Sequence, residues 1–244
     1  MDNEKEKIAE YVYLEYEELR REFGDLELDL LKSMKVNTAS GRFDMVFLAT
    51  LFSAWTMKEE RAFSIWMNLT EAFQDANTSF YSYLIDAKES QLIDLTKRFR
   101  VPPKTVSYIA KTAKNLRLYN DDINGLIDEK SWILTLKNIK KKCKGVNQKA
   151  FWIARIMRQK GVWDVPGRYC CVSDSHNKGF LLRTGFIKSD ENLFHNSLVM
   201  WKYFNEPFET QWYDLPVFRF ARLRGCSKCP KQICNFSQLS TCGT

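Results

Sequence analysis

An all-α fold is expected for this chain, on three observations. Apolar residues recur at steps of three and four: within residues 4–23 they are Ile8, Val12, Tyr16, Leu19 and Phe23, the period of a helix with one buried face. Hydrophobic residues make up 45% and aromatic residues 14% of the 244, which supplies a sizeable core and argues against disorder. The segments between apolar stretches carry the Gly, Asn and Pro of turns and helix ends, and few strands are expected.

The elements follow in order. The first amphipathic helix, 4–23, carries Tyr11 on the same flank and stops at Gly24. A short helix near 27–35 leads to the turn signal Asn37-Thr38-Ala39-Ser40-Gly41, and an apolar helix is expected at 43–56. Its run from Met45 to Phe52 is far short of the roughly 20 residues that span a bilayer, so it reads as a core helix and not an anchor. Further helices are expected at 58–73, 79–87 and 89–99. Val101-Pro102-Pro103 is a firm break, because residues preceding proline avoid helical angles. Helices near 104–117, 121–128 and 130–142 approach a Gly-containing turn at about 142–150, and a helix runs from 148 to 159. Trp163-Asp164-Val165-Pro166-Gly167 connects to the last helices, near 175–185, 191–204 and 214–223.

No internal repeat or low-complexity break is visible, although the chain exceeds the common single-domain size of about 100–200 residues. Residues 1–225 therefore read as one bilobed helical domain and 226–244 as a cysteine-rich loop. The charged N-terminus, Met1-Asp2-Asn3-Glu4-Lys5-Glu6-Lys7, lacks the apolar centre of a signal peptide, which leads to a cytoplasmic or nucleoid-associated expectation. With no heptad pattern, a monomer is expected.

A formal net charge of +7 permits a polyanionic partner without requiring one. Its distribution says more. Lys137, Lys140, Lys141, Lys142 and Lys144 crowd the approach to the turn, and Lys149, Arg155 and Arg158 lie beyond it. A solvated helix face is one reading; a phosphate-contacting edge is favoured because the run abuts a turn whose own N–H groups could approach a phosphate.

The chemistry concentrates in two segments. Lys144-Gly145-Val146-Asn147-Gln148-Lys149 reads as a turn that opens a helix, with Lys149 in the helix's first turn. Val172-Ser173-Asp174-Ser175-His176 places Asp174 just before another helix, where a short carboxylate caps orphan N–H groups and stays ionised. Together they offer an amine nucleophile and a carboxylate. Taken singly, Lys149 is as readily a surface lysine and Asp174 a plain helix cap.

Gly-Val-x-x-Lys followed by Val-x-Asp-x-His resembles the helix-hairpin-helix DNA glycosylases of the endonuclease III superfamily. Their hairpin usually reads Pro-Gly-Val-Gly-x-Lys; here Lys144 replaces the proline and Asn147 the second glycine, which puts the hairpin geometry in question. The chain is also similar to the archaeal 8-oxoguanine DNA glycosylases (the AGOG family), whose irregular hairpin has Gln-Lys at the helix start, as in Gln148-Lys149, and whose Asp precedes a Gly-hydrophobic-Ile, as Asp174 precedes Gly185-Phe186-Ile187. The resemblance spans roughly residues 42–225 and is weak outside 144–187.

What this resemblance implies is a two-lobed helix-hairpin-helix fold with a cleft between the lobes and a double-stranded DNA partner. A modified base would be flipped out of the stack into a pocket. Lys149 would attack the sugar and form an imine, giving lyase as well as glycosylase activity, and Asp174 would stabilise positive charge growing on the sugar. Lys144, Gly145, Val146, Asn147, Gln148 and His176 would contact DNA. His176 is equally readable as a packed structural histidine. For the base pocket, Asp214 followed by Phe218 keeps an acceptor-plus-aromatic spacing of the archaeal enzymes, against the plainer reading of a helix cap and a core aromatic. Phe63 and Trp66 are candidates for another pocket wall. The leading substrate is 8-oxoguanine, with a modified or hypermodified pyrimidine, including one in foreign DNA, as the alternative. A non-catalytic DNA-binding adaptor and a helical interaction protein remain as rivals.

Of seven cysteines, four cluster at the C-terminal end: Cys226, Cys229, Cys234 and Cys242. Such thiolate groups hold an iron-sulfur centre or zinc, and endonuclease III carries a four-iron cluster in a C-terminal loop with a Cys-x2-Cys-Pro segment like Cys226 to Pro230. The remaining spacing differs from that family, so iron-sulfur, zinc and no metal all stay open. Cys143, Cys170 and Cys171 read as buried small hydrophobes.

Overall fold

A computed structural model describes residues 2–23, 32, 34–53, 59–76, 78–188 and 192–223. Among the described residues there are eleven α-helices and no strand, so the chain is all-helical. In order they are α1 (Asp2–Phe23), α2 (Ala39–Phe52), α3 (Glu59–Asp75), α4 (Phe80–Asp86), α5 (Glu89–Phe99), α6 (Pro103–Leu116), α7 (Trp132–Lys142), α8 (Lys149–Gln159), α9 (Ser175–Arg183), α10 (Leu193–Phe204) and α11 (Leu215–Leu223). No helix among the described residues is long and apolar enough to cross a membrane. Most of the expected helix near 27–35, the stop at Gly24 and the cysteine loop at 226–244 lie outside the described residues.

The chain divides into two compact units, one formed by Met1–Leu28 with Val165–Thr244 and the other by Asp29–Asp164. In the Asp29–Asp164 unit, α2 is the central element. Met45, Val46, Leu48 and Ala49 have no exposed surface, and α3, α4, α6 and α8 pack around the helix. Phe43 and Phe47 meet the Phe80 ring at 6.2 and 4.9 Å. Phe52, at the other end, meets Phe63 and Trp152 edge-on, both at 5.3 Å. Burying that many apolar side chains, each contributing about 1.5–3 kcal/mol, is what makes a helix of this composition the centre of its unit.

The α2 boundaries correct the expectation of 43–56. Thr38 caps the helix by accepting the Gly41 N–H at 3.1 Å, so the supposed turn 37–41 already contains the first helical turn. Gly41 is needed there because a Cβ would stand 2.0 Å from the Lys35 carbonyl oxygen. The expected helix at 121–128 is also corrected: it shrinks to a 3-10 turn at Ile123–Leu126. Asp121 is left-handed at φ 60°, and Asp122 accepts the Asn124 N–H at 3.0 Å, so the backbone turns before an α-helix can propagate. Arg42, 8% exposed, pairs bidentately with Asp122 and donates to the Val36 carbonyl at 3.0 Å, fixing this turn to the start of α2.

In the other unit α1 turns Ile8, Val12 and Tyr16 inward, as the spacing predicts, and packs on α10 and α11. Phe180 is the hub, meeting Phe186, Phe204 and Phe220 at 6.3, 6.0 and 5.8 Å. The buried Asn205 side chain replaces missing backbone partners by accepting the Tyr213 N–H at 2.6 Å and donating to the Tyr213 carbonyl at 2.8 Å. That pair holds Tyr213 at φ 57° and sets where α11 begins. Cys143, Cys170 and Cys171 are fully buried, as expected, and burial pushes the Cys143 thiol up to about 12.

Candidate functional site

The turn between α7 and α8 is built from both ends. Ser131 caps α7, and the helix ends where the Cys143 N–H donates to the Ile139 carbonyl at 2.8 Å. The Lys144 N–H then donates to Thr112 Oγ1 at 2.8 Å. Gly145 takes φ 82°, and a Cβ there would stand 2.5 Å from Tyr108 Cδ2, so both conformation and space demand glycine. Val146 is buried, and its carbonyl accepts the Lys149 N–H at 2.9 Å and the Ser53 hydroxyl at 3.1 Å. Asn147 is left-handed at φ 47°. Asparagine is among the few side chains that tolerate this region, so the residue standing where the resembled hairpins have glycine still makes the turn.

The first turn of α8 is tight, with Ala150 and Phe151 donating to Asn147 and Gln148 carbonyls at 3.3 and 3.2 Å. Among the described residues no acceptor meets the backbone N–H groups of Gly145, Asn147 and Gln148. Unmet N–H groups in a turn that opens a helix, flanked by Lys144, suit an anion.

Lys149 opens α8 and is half-buried. Its Nζ lies 6.0 Å from the centroid of the Phe52 ring, and Phe63 and Trp152 support that ring from its edges. Among the described residues the amine forms no ion pair. Trp66, on the same helix as Phe63, is 7% exposed, and among the described residues its indole N–H has no acceptor. Arg155 corrects an expectation: it is 2% exposed, so it belongs to the interior of its unit and not to a phosphate-facing edge.

In the Met1–Leu28 with Val165–Thr244 unit, the loop before α9 is held from several directions. Asp214 accepts the Val172 N–H at 3.0 Å, Asn177 donates to the Val172 carbonyl at 2.6 Å, and Asn196 donates to Ser173 Oγ at 2.9 Å. Asp174 follows as the N-cap of α9. Its Oδ1 accepts the N–H groups of His176 and Asn177, both at 2.9 Å, so among the described residues Oδ2 takes no protein donor. The result is a half-buried carboxylate with fixed orientation and one uncommitted oxygen. The side-chain amide oxygens of Asn177 and Asn196 are buried and, among the described residues, meet no donor, which makes the loop's surroundings polar.

His176 meets Phe218 edge-on at 5.9 Å, and the Arg222 guanidinium lies over the Phe218 ring, 5.8 Å from its centroid. Phe218 is half-buried, whereas Asp214 is 5% exposed with one oxygen committed to Val172. Asp214 thus positions the loop that carries Asp174, a part that its spacing to Phe218 alone did not suggest. Cys226, Cys229, Cys234 and Cys242 lie outside the described residues, and among the described residues no group of three His, Cys, Asp or Glu side chains could hold a metal ion.

Sequence reasoning passed over Asp44. It is half-buried on α2 between fully buried neighbours, and burial pushes its carboxyl up to about 7. A lone Asp inside an apolar run was the available signal. Phe52 was likewise seen only as part of a core run, because nothing in the sequence brings it beneath Lys149. Compared with protein families, curated proteins and solved structures, the chain matches none.

Proposed function

We propose that the protein is a helix-hairpin-helix DNA glycosylase of two-lobed helical architecture that excises a modified base, with Lys149 as amine nucleophile and Asp174 as the carboxylate that steadies the sugar. The observation that carries this reading is the oriented Asp174 carboxylate: two backbone N–H groups fix one oxygen and leave the other to face developing positive charge. A side chain placed in this way needs no reorganisation as charge develops, which is where an electrostatic contribution is largest.

The remaining roles follow from chemistry. The N–H groups of Gly145, Asn147 and Gln148, with Lys144, take a backbone phosphate. The target nucleotide is flipped out at a cost of a few kcal/mol. The Lys149 amine, once neutral, attacks the anomeric carbon as the carbon–nitrogen bond to the base breaks, and the base leaves with a proton that Asp174 can relay. The resulting imine allows elimination of the 3′ phosphate. Phe218 offers a stacking face for a base, with His176 beside it, and Asp214 holds the loop that carries Asp174. The leading substrate is 8-oxoguanine and the alternative is a modified or hypermodified pyrimidine.

By their residue type, Cys226, Cys229, Cys234 and Cys242 would offer soft thiolate donors to an iron-sulfur cluster or to zinc, and no step of the excision chemistry runs through such a group. The test is base release: duplexes carrying 8-oxoguanine, oxidised pyrimidines, uracil or hypermodified cytosine are incubated with the protein and the freed base is measured by mass spectrometry. Release from one duplex that disappears in Asp174→Asn supports the reading. No release from any of them favours a non-catalytic DNA-binding adaptor.

A further inference from the structure

Helix α6 lies along the α7–α8 turn and carries cations that the excision chemistry does not use. Tyr108, Thr112 and Asn115 form one helical stripe, and each meets a successive part of the turn. Tyr108 crowds Gly145, Thr112 Oγ1 accepts the Lys144 N–H at 2.8 Å, and Asn115 Nδ2 donates to the Lys142 carbonyl at 2.7 Å. This stripe brings Lys104, Lys111 and Lys114, all exposed on α6, beside the exposed Lys140, Lys141 and Lys144. Among the described residues none of the six makes an ion pair, and α6 contains no acidic residue.

Helix dipoles account for part of this charge, since Lys114, Lys140 and Lys141 sit at C-terminal ends where cations are favoured. They do not account for Lys104. It stands in the first turn of α6, where the dipole disfavours a cation, and its Nζ lies 5.6 Å from the Tyr108 ring that presses on Gly145. A cation kept at an unfavourable helix end, beside a turn with unmet N–H groups, is suited to an external anion.

We propose that α6 is a second phosphate-contacting element, so that the Asp29–Asp164 unit grips a stretch of double-stranded DNA backbone longer than the turn alone could hold. The proposal rests on the DNA-binding part of the function above, and Lys104, Lys111 and Lys114 are its residues. Each phosphate neutralised releases condensed counterions, lowering the slope of log affinity against log salt by about 0.9 per contact.

The experiment is fluorescence-anisotropy titration of an undamaged duplex over a series of KCl concentrations. It uses the wild type, the triple variant Lys104→Ala/Lys111→Ala/Lys114→Ala, and the corresponding triple Lys→Arg variant, with circular dichroism confirming that each is folded. The Ala variant should flatten the slope by roughly two to three, and the Arg variant should restore it. An unchanged slope in the Ala variant, alongside base release by the wild type, overturns this inference and leaves the glycosylase reading standing. A wild type with no salt-dependent DNA affinity overturns both. A flattened slope with no base release from any duplex upholds the surface and overturns only the catalytic reading.

Discussion

Lys149 Nζ stands 6.0 Å from the centroid of the Phe52 ring, at the start of α8, with no carboxylate partner among the described residues. The aromatic floor holds the amine without spending it in an ion pair, and a contact at this distance contributes at most about 0.5–1 kcal/mol. Lys149→Arg keeps the charge and the aromatic contact but cannot form an imine. It should retain duplex affinity within a few-fold while giving no covalent adduct, as read by anisotropy and by gel.

Asp174 permits a clean separation of fold from chemistry. Asparagine caps helices about as well as aspartate, so Asp174→Asn should keep the thermal midpoint close to wild type while base release slows by about 10²–10³-fold, the cost of removing one preorganised electrostatic partner. Asp174→Ala should lose about 1 kcal/mol of stability as well. Single-turnover release and thermal melts distinguish the two effects.

The turn itself makes a paired prediction. Gly145→Ala forces a left-handed Ala and a contact with Tyr108, and should destabilise by about 2 kcal/mol or more. Asn147→Gly relieves a non-glycine φ of 47° and should change stability by less than about 1 kcal/mol. Urea unfolding of both variants checks the contrast.

Those two positions also show how much of the molecule was legible. Helix periods, the Gly and Asn of turns and the Pro102-Pro103 break placed most helices to within a few residues, because those signals are local. The start of α2 was misplaced because Asn37 to Gly41 has a turn-like composition, and only the Thr38 cap bond and the tight space at Gly41 reveal a helix there. Asp174 was legible as a cap because capping is local. That Asp214 steadies the Asp174 loop, and that Lys149 overlies Phe52, depends on contacts between residues distant in sequence, which no spacing rule encodes.

Two carboxyls should give opposite pH signatures. Burial alone would raise the Asp122 carboxyl, but the hydrogen bond and charge of Arg42, with backbone N–H groups, hold it below the usual carboxylate range. Its stabilisation is therefore present above about pH 4 and lost as pH falls through the lowered folded value. Asp122→Asn strands the buried Arg42 and should cost roughly 2–4 kcal/mol at pH 7, with a smaller loss at acid pH.

Asp44 behaves in the reverse sense. Burial raises its carboxyl to about 7 in the folded chain, so folding is unpenalised below the unfolded value near 4 and loses stability as pH rises toward 7. Discounted for the exposure Asp44 retains, Asp44→Asn should stabilise the protein at pH 8 by roughly 1–3 kcal/mol and flatten the profile between about pH 4 and 7. Thermal midpoints across that range measure it.

Borohydride trapping tests Lys149 as the nucleophile. Wild type, Lys149→Ala and Lys149→Arg are incubated with duplexes bearing 8-oxoguanine, oxidised pyrimidines, hypermodified cytosine or an abasic site, reduced, and resolved by denaturing gel, with the linked residue identified by peptide mass. The wild type should give a protein–DNA adduct, mapped to Lys149 and absent from both variants. An adduct that persists in both Lys149 variants, or base release by the wild type with no adduct at all, would contradict Lys149 as the nucleophile.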